Sequence, residues 1–258
     1  YLVTGSACEL SYNTNSTDIT ATSNAGGMIG YLDNQAHFSM QHNTNNGEIN
    51  GDYSIGGMVG YTVTHPYDTD YGHSLKILYN ESNGSIVLVS TEGAGIVGRM
   101  EYSSSYDNAD GLLQIDGNTI NASITGDITN DAYYVAGVIG FLIGNTPSGA
   151  DTVDNISVSN NVINGAINST EYVAGVIGGI SHNDGACSGC PDKTNLKVDG
   201  NAVNGAIISE DDYSGNVAGI LGHAYLRYMN STFNDNEVNT NITFNDTFGN
   251  STGYIGGI

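Results

Sequence analysis

Three groups of residues in this chain are of types that do chemistry. Asp211/Asp212 and Asp151/Asp154 are carboxylate pairs. Glycoside hydrolysis uses such a pair, held about 5–9.5 Å apart. Cys187-Ser-Gly-Cys190 lies near His182, Asp184 and Asp192, which suits either a local disulfide or a zinc site. Asp68/Asp70 and Asp107/Asp110 are acidic loop residues that could take calcium, although no Asp-x-Asp-x-Asp-Gly loop is present.

Composition weighs against most of this chemistry. Acidic residues number 27 and basic ones 5, for a net charge of -22. In so acidic a chain, carboxylate pairs arise without purpose. The five cations, Lys76, Arg99, Lys193, Lys197 and Arg227, are scattered, so no cluster exists to neutralise a polyuronate. The six histidines show neither Ser-His-Asp nor metal-ligand spacing. Nucleic acid and anionic membrane are excluded as partners, since both demand Lys and Arg. The longest nearly apolar run, 135–144, is too short to span a bilayer. The expectation is a non-catalytic chain with no resident metal or cofactor, calcium at the acidic loops aside.

The cysteines point to an oxidising compartment. A local Cys187–Cys190 disulfide is the favoured reading, and no helix start follows to make the pair thioredoxin-like. Cys8 falls in an apolar slot, as a buried free thiol or as the partner of a segment elsewhere.

Most of the length is given to something inert. The chain holds 36 Gly and 32 Asn. Gly-apolar-apolar-Gly starts at Gly27, Gly57, Gly95, Gly137, Gly175, Gly219 and Gly253. Upstream of each stands Asn-x-x-Asn: Asn43/Asn46, Asn80/Asn83, Asn118/Asn121, Asn161/Asn164, Asn201/Asn204 and Asn236/Asn239, with Asn13/Ser16 a degraded first copy. Three residues beyond the second Asn comes Ile every time: Ile19, Ile49, Ile86, Ile124, Ile167, Ile207 and Ile242. Before the Asn pair, apolar residues stand two apart, as in Leu75/Ile77 and Leu113/Ile115.

Apolar spacing of two means strand, and no 3.6 period is sustained. Seven units in register predict one all-β parallel β-helix over 1–258, with about seven coils of three short strands and variable loops. Stacked coils lie about 4.8 Å apart, so like residues form columns. Ile49, Ile86, Ile124, Ile167, Ile207 and Ile242 should make an interior ladder. Asn46, Asn83, Asn121, Asn164, Asn204 and Asn239 should make a corner ladder, each amide bonding the next. Gly should supply positive φ at corners.

One detail is less bland. If the Gly element is plain strand, its two apolar residues face opposite ways. Met28, Met58, Ile96, Val138, Val176 and Ile220 then line the outer face. Either the long loops fold over that column, or it is a lateral contact with another chain.

Gly-Gly-Met-Ile-Gly-Tyr at 26–31, Gly-Gly-Met-Val-Gly-Tyr at 56–61 and Ala-Gly-Val-Ile-Gly at 136–140 and 174–178 resemble the GLUG-type glycine-rich repeats of bacterial and protist surface proteins. The upstream Asn-Gly-x-Ile is similar as well. The resemblance runs over nearly the whole chain. It implies an extracellular or cell-surface setting, adhesin-like or fibrous, with no catalytic residues.

Asn-x-Ser/Thr sequons fall at ten positions. Asn80, Asn83 and Asn121 occupy ladder slots, where a glycan would break stacking. Asn155, Asn168, Asn230, Asn241, Asn245 and Asn250 lie outside the ladders and are the candidates for N-linked glycans in a eukaryotic host.

On this alignment Gly257-Ile258 match Tyr31-Leu32, as do Tyr1-Leu2, and neither end shows a polar cap. The expectation is a solenoid that continues, in the same chain or by head-to-tail contact between copies. The function expected is a structural segment of an extracellular glycoprotein fibre. The alternatives are an adhesin stalk whose loops bind a ligand or glycan, and a polysaccharide-active β-helix enzyme.

Overall fold

The computed structural model describes residues 1–4, 6–34, 36–64, 73–103, 112–127, 132–146, 154–184, 194–211, 215–226, 229–246 and 254–257. Among them are 35 strands and no helix. The strands form five sheets of seven, and neighbours in a sheet come from successive turns of the chain. All pairings are parallel, as between Ser74–Leu78 and Leu112–Asp116. The chain is a parallel β-solenoid of seven coils.

One coil shows the plan. Val59–Thr64 lies in the first sheet and Ser74–Leu78 in the second. Glu81–Ser82 lies in the third, Ile86–Leu88 in the fourth and Gly93–Ala94 in the fifth. Each coil thus has five strands where periodicity predicts three. Two-residue strands such as Glu81–Ser82 are too short to show a period of two, yet both residues pair with the coils on either side.

Alternation places the core. In Ser74–Leu78, Leu75 and Ile77 point inward and are fully buried, while Ser74, Lys76 and Leu78 face outward. The Ile column behaves as expected. Ile49, Ile86, Ile124, Ile167 and Ile207 are fully buried in the central core, with Ile19 and Ile242 packed against it at the two end coils. Burying an Ile side chain contributes roughly 1.5–3 kcal/mol, so this column is a large share of what holds coil to coil.

The corner before the Asn pair is sharper than sequence suggests. The left-handed residue there is not one of the paired Asn, and it is not always Gly. It is the residue preceding the first Asn: Tyr12, His42, Tyr79, Gly117, Asn160, Gly200 and Asp235, with φ between 50° and 66°. Left-handed backbone disfavours bulky residues, so three aromatic residues in it require compensation. Their rings supply it by stacking, Tyr12 on His42 at 5.0 Å and His42 on Tyr79 at 5.5 Å between centroids. Gly117 ends the stack, since a Cβ there would lie 2.5 Å from the Tyr79 ring.

Glycine in the Gly element serves close approach rather than positive φ. A Cβ on Gly95 would strike the Gly137 carbonyl oxygen of the next coil and the Ile120 side chain across the interior.

The second apolar column is not on the outer face. Met58, Ile96, Val138 and Val176 are 0% exposed and Ile220 2%, all within the central core, and Met28 packs against it in an early coil. The chain bends between the short strand Ile55–Gly56 and the long strand Val59–Thr64. At that corner, alternation breaks and consecutive apolar residues both turn inward. Met58, Ile96, Val138, Val176 and Ile220 have no outer surface to offer a lateral contact; they fill the chain's own interior, and Met28 is partly buried against it.

The last Gly element also shifts. Tyr254, Ile255 and Gly256 pair with Asn216, Val217 and Ala218. The register therefore matches Gly257, not Gly253, to Gly219. Tyr1-Leu2 does match Tyr31-Leu32, because Leu2 pairs with Leu32, but Gly257 falls four residues earlier in the repeat than the sequence alignment places it, and Ile258 lies outside the described residues.

Candidate functional site: two amide ladders and an aromatic column

Side chains run along this solenoid in files, and three files carry polar or aromatic groups from coil to coil. The first is the inner Asn file. Asn43, Asn80, Asn118, Asn161 and Asn201 are buried, at 0–1% exposure. Each sends its backbone N–H and its Nδ2 to the Oδ1 of the next Asn. For Asn80 onto Asn118 these are 2.8 and 3.0 Å, and for Asn118 onto Asn161 both are 3.0 Å. The other Nδ2 hydrogen reaches back to a carbonyl of the preceding coil, Ile77 O in the case of Asn118, at 2.9 Å. The file extends from Asn13 to Asn236. A buried amide is thus satisfied entirely by its neighbours, as burial demands.

The second file is the outer ladder named from sequence. Asn83 Nδ2 donates to Asn46 Oδ1, Asn121 to Asn83, Asn164 to Asn121 and Asn204 to Asn164, each at 2.9 Å, and Asn239 to Asn204 at 3.3 Å. Here the later coil donates to the earlier one, the reverse of the inner file.

The third file stands on the outward side of the first sheet. Successive coils pair Tyr31, Tyr61, Arg99, Phe141, Gly179 and His223 at one position. Tyr1 stacks on Tyr31 at 5.1 Å, and Tyr31 meets Tyr61 edge-on at 5.0 Å. The Arg99 guanidinium lies between two rings, 5.5 Å from the Tyr61 centroid and 5.9 Å from Phe141. Beyond Phe141 the sheet has no side chain at Gly179. Tyr134, from the left-handed corner beside it, leans into that space; a Cβ on Gly179 would collide with its ring. Tyr134 stacks on Phe141 at 4.2 Å and on Tyr172 at 4.9 Å, and Tyr172 meets His223 at 4.8 Å.

Charge fixes the middle of this file. Arg99 Nη1 lies 2.9 Å from Glu92 Oε1, and its Nε and Nη2 lie 2.9 and 2.5 Å from Glu101 Oε1. Burial works against the guanidinium's charge, but the hydrogen bonds to Glu101 and the attraction of Glu92 and Glu101 outweigh it, so its pKa is raised. The Tyr61 phenol is pushed well up, first by burial and then by its hydrogen bond to the Glu101 carboxylate and that group's charge. Tyr31 and Tyr134 are raised too, again chiefly by burial.

Asp68, Asp70, Asp107, Asp110, Asp151, Cys187, Cys190, Asp192 and Asp212 lie outside the described residues, as does the sequon at Asn250. Among the described residues no group of three or more His, Cys, Asp or Glu converges as a metal site. No helix among them is long and apolar enough to cross a membrane. His182 is not in a loop: it is fully buried on the inner side of the first sheet, its Nδ1 2.7 Å from the Tyr102 hydroxyl. Cys8 is a free thiol, partly buried against the core beside Phe38.

Of the sequon residues, Asn155, Asn230, Asn241 and Asn245 are exposed and Asn168 is half-buried with its Oδ1 shielded from solvent. Asn155 and Asn230 flank Asn195 in an outward amide row, at 3.1 and 3.4 Å. The aromatic file went unread in sequence. Its signal was the residue after the second Gly of each element, Tyr31, Tyr61, Arg99 and Phe141, but the ring that completes it, Tyr134, comes from another part of the repeat.

The fold defines a β-solenoid, and its repeated residues define coil-to-coil ladders. Comparison with protein-family profiles, with curated proteins and with solved structures gave no match.

Proposed function

We propose that this chain is a structural segment of an extracellular or cell-surface fibre, non-catalytic, whose work is to be long and stiff. One observation carries the reading. The inner Asn file, the outer Asn file and the Ile column run through the coils without a break in the middle. Each coil spends its specific side chains on the coils above and below. In such a stack, stability is the sum of nearest-neighbour terms and grows with length. The glycine-rich repeat shared in pattern with surface proteins supports the same setting. Exposed sequons would carry its glycans.

The inner file also has a polarity, with acceptors turned toward the first coil and donors toward the last. A further coil of this pattern, on the same chain or a second copy, adds only head to tail. Self-association along the axis is therefore the partnership this reading expects.

Electron imaging of the native material tests it. Filaments with an axial period near about 4.8 Å support it. Discrete short rods sink the fibre and favour the adhesin stalk, for which the aromatic file is the specific supporting observation. Turnover of a polysaccharide by the purified chain would overturn the non-catalytic reading.

A further inference from the structure

The outward faces of this solenoid differ in kind. On the second sheet the outward side chains of one file are Glu9, Ser39, Lys76, Gln114, Ser157 and Lys197. The first sheet carries the aromatic file instead, beside a second file in which Val3, Val63 and Ile143 alternate with Asp33, Glu101 and Ser181. Tyr1 is exposed and the other rings are partly so, and the file is ringless at two coils, where Arg99 lies between Tyr61 and Phe141 and where Tyr134 closes the gap over Gly179. Rings held so regularly toward water bury only part of their area for stability. A file of partly exposed rings flanked by alternating apolar and polar residues is an amphipathic face of the kind that binding sites use.

We propose that this face binds a linear, uncharged polysaccharide laid along the solenoid axis. Shape argues for a periodic ligand. Tyr1, Tyr31 and Tyr61 follow one another at 5.0–5.1 Å, close to the advance of one pyranose in an extended chain. Tyr1 and Tyr31 stack on one another, 13° from parallel, and Tyr31 meets Tyr61 at 88°, so the file offers a ligand chiefly ring edges and phenol hydroxyls, which suit the hydroxyls of a sugar. The Arg99 guanidinium, locked by Glu92 and Glu101, is a fixed donor and the two carboxylates are fixed acceptors. Pre-set groups lower the ordering cost of binding.

Charge selects among occupants. A net charge of -22 repels a polyanionic glycan and repels a second copy approaching side by side. A neutral chain meets no such barrier. The inference goes beyond the structural role and does not depend on it: absent filaments would leave this face intact, and a failed titration would leave the fibre intact.

The test is calorimetric titration of the folded protein with cellohexaose, chitohexaose and a hexameric oligouronate. One neutral hexasaccharide is expected to bind, with little dependence on salt. The double variant Tyr31→Ala/Tyr61→Ala should weaken it by about tenfold or more. Tyr31→Leu, which keeps apolar bulk but removes the ring, should weaken it as well and serves if the double variant fails to fold. Tyr12→Ala/Tyr79→Ala, on the other aromatic corner, should leave affinity unchanged. No binding of either neutral sugar would overturn the proposal. So would tighter binding of the oligouronate, or equal losses from both corners. Sedimentation that shows wild-type pairing abolished by Tyr31→Ala/Tyr61→Ala, with no sugar bound, would assign the face to a second copy instead.

Discussion

The Tyr102 hydroxyl lies 2.7 Å from His182 Nδ1, and the two rings are nearly parallel at 9°, although the residues belong to coils two apart. Between them in the same file stands Gly144, which pairs with both. Both rings are in the dry interior, at 2% and 0% exposure. The contact exists because the intervening coil supplies no side chain.

Gly144→Ala would therefore act through two residues other than itself. Its Cβ would meet both the Tyr102 hydroxyl and His182 Nδ1. Overpacking and loss of a buried hydrogen bond each cost about 1–3 kcal/mol. Urea denaturation should show a loss of that order, and adding Tyr102→Phe should recover part of it. No loss would mean that the interior is looser there than the distances say.

The inner ladder predicts a chemical asymmetry at Asn118. Alanine removes an acceptor from Asn80 and leaves its donors buried, so a loss of about 2–4 kcal/mol is expected from two orphaned groups. Asn118→Asp keeps the shape but turns an oxygen toward Asn161 Oδ1 and Ile77 O, where Nδ2 now donates. Such a carboxyl prefers its proton in the folded state, so its folded pKa rises above the unfolded value of about 3.9. The sign follows from linkage. Relative to wild type, the Asp variant should be least impaired at low pH and lose stability as pH rises through that value. A pH-independent deficit would contradict the ladder's polarity.

Alkaline pH should weaken the first sheet. The phenols of Tyr31, Tyr61 and Tyr134 are raised, burial being the first cause in each. In the unfolded chain they ionise near about 10. Their contribution is intact below that and is lost as pH climbs through the raised folded values. Phenolate absorbance should show a late-titrating class in the native protein that disappears in denaturant, and Tyr61→Phe should shrink it.

The sequons divide by geometry. Asn80 is 1% exposed, with its Nδ2 already donating to Met40 O and Asn118 Oδ1. Protein secreted in folded form from a eukaryotic host should carry glycans on some of Asn155, Asn230, Asn241 and Asn245 and none on Asn80. Mass spectrometry of glycopeptides decides this. A glycan on Asn80 in folded material would refute the inner ladder.

Sequence gave away what alternates and what repeats. Ile124 recurs at a fixed offset in every unit and Asn121 in all but the first, where Ser16 stands, so the coil count and both their ladders follow from spacing alone. It hid what depends on bends. Met58 and Val59 are adjacent, and only the turn between two sheets lets both point inward. The short strand Glu81–Ser82 carries no pattern; its neighbours in adjacent coils make it a strand. Tyr134 joins the aromatic file by leaning over Gly179, a relation between two different columns that no single alignment column records. The final element misled because Gly253 looks like a motif glycine while Gly257 occupies the slot.

The two Asn files run in opposite senses. The inner Asn-to-Asn bonds are donated toward later coils, with the second Nδ2 hydrogen turned back to a carbonyl, and the outer Asn-to-Asn bonds are donated toward earlier ones. An α-helix aligns its peptide dipoles head to tail, so its total dipole grows as it lengthens. Here the side-chain dipoles on one corner oppose each other, and parallel sheets add little net moment of their own. Coils can be added with little growth of a dipole along the rod, so what accumulates with length is the acidic charge of the coils themselves.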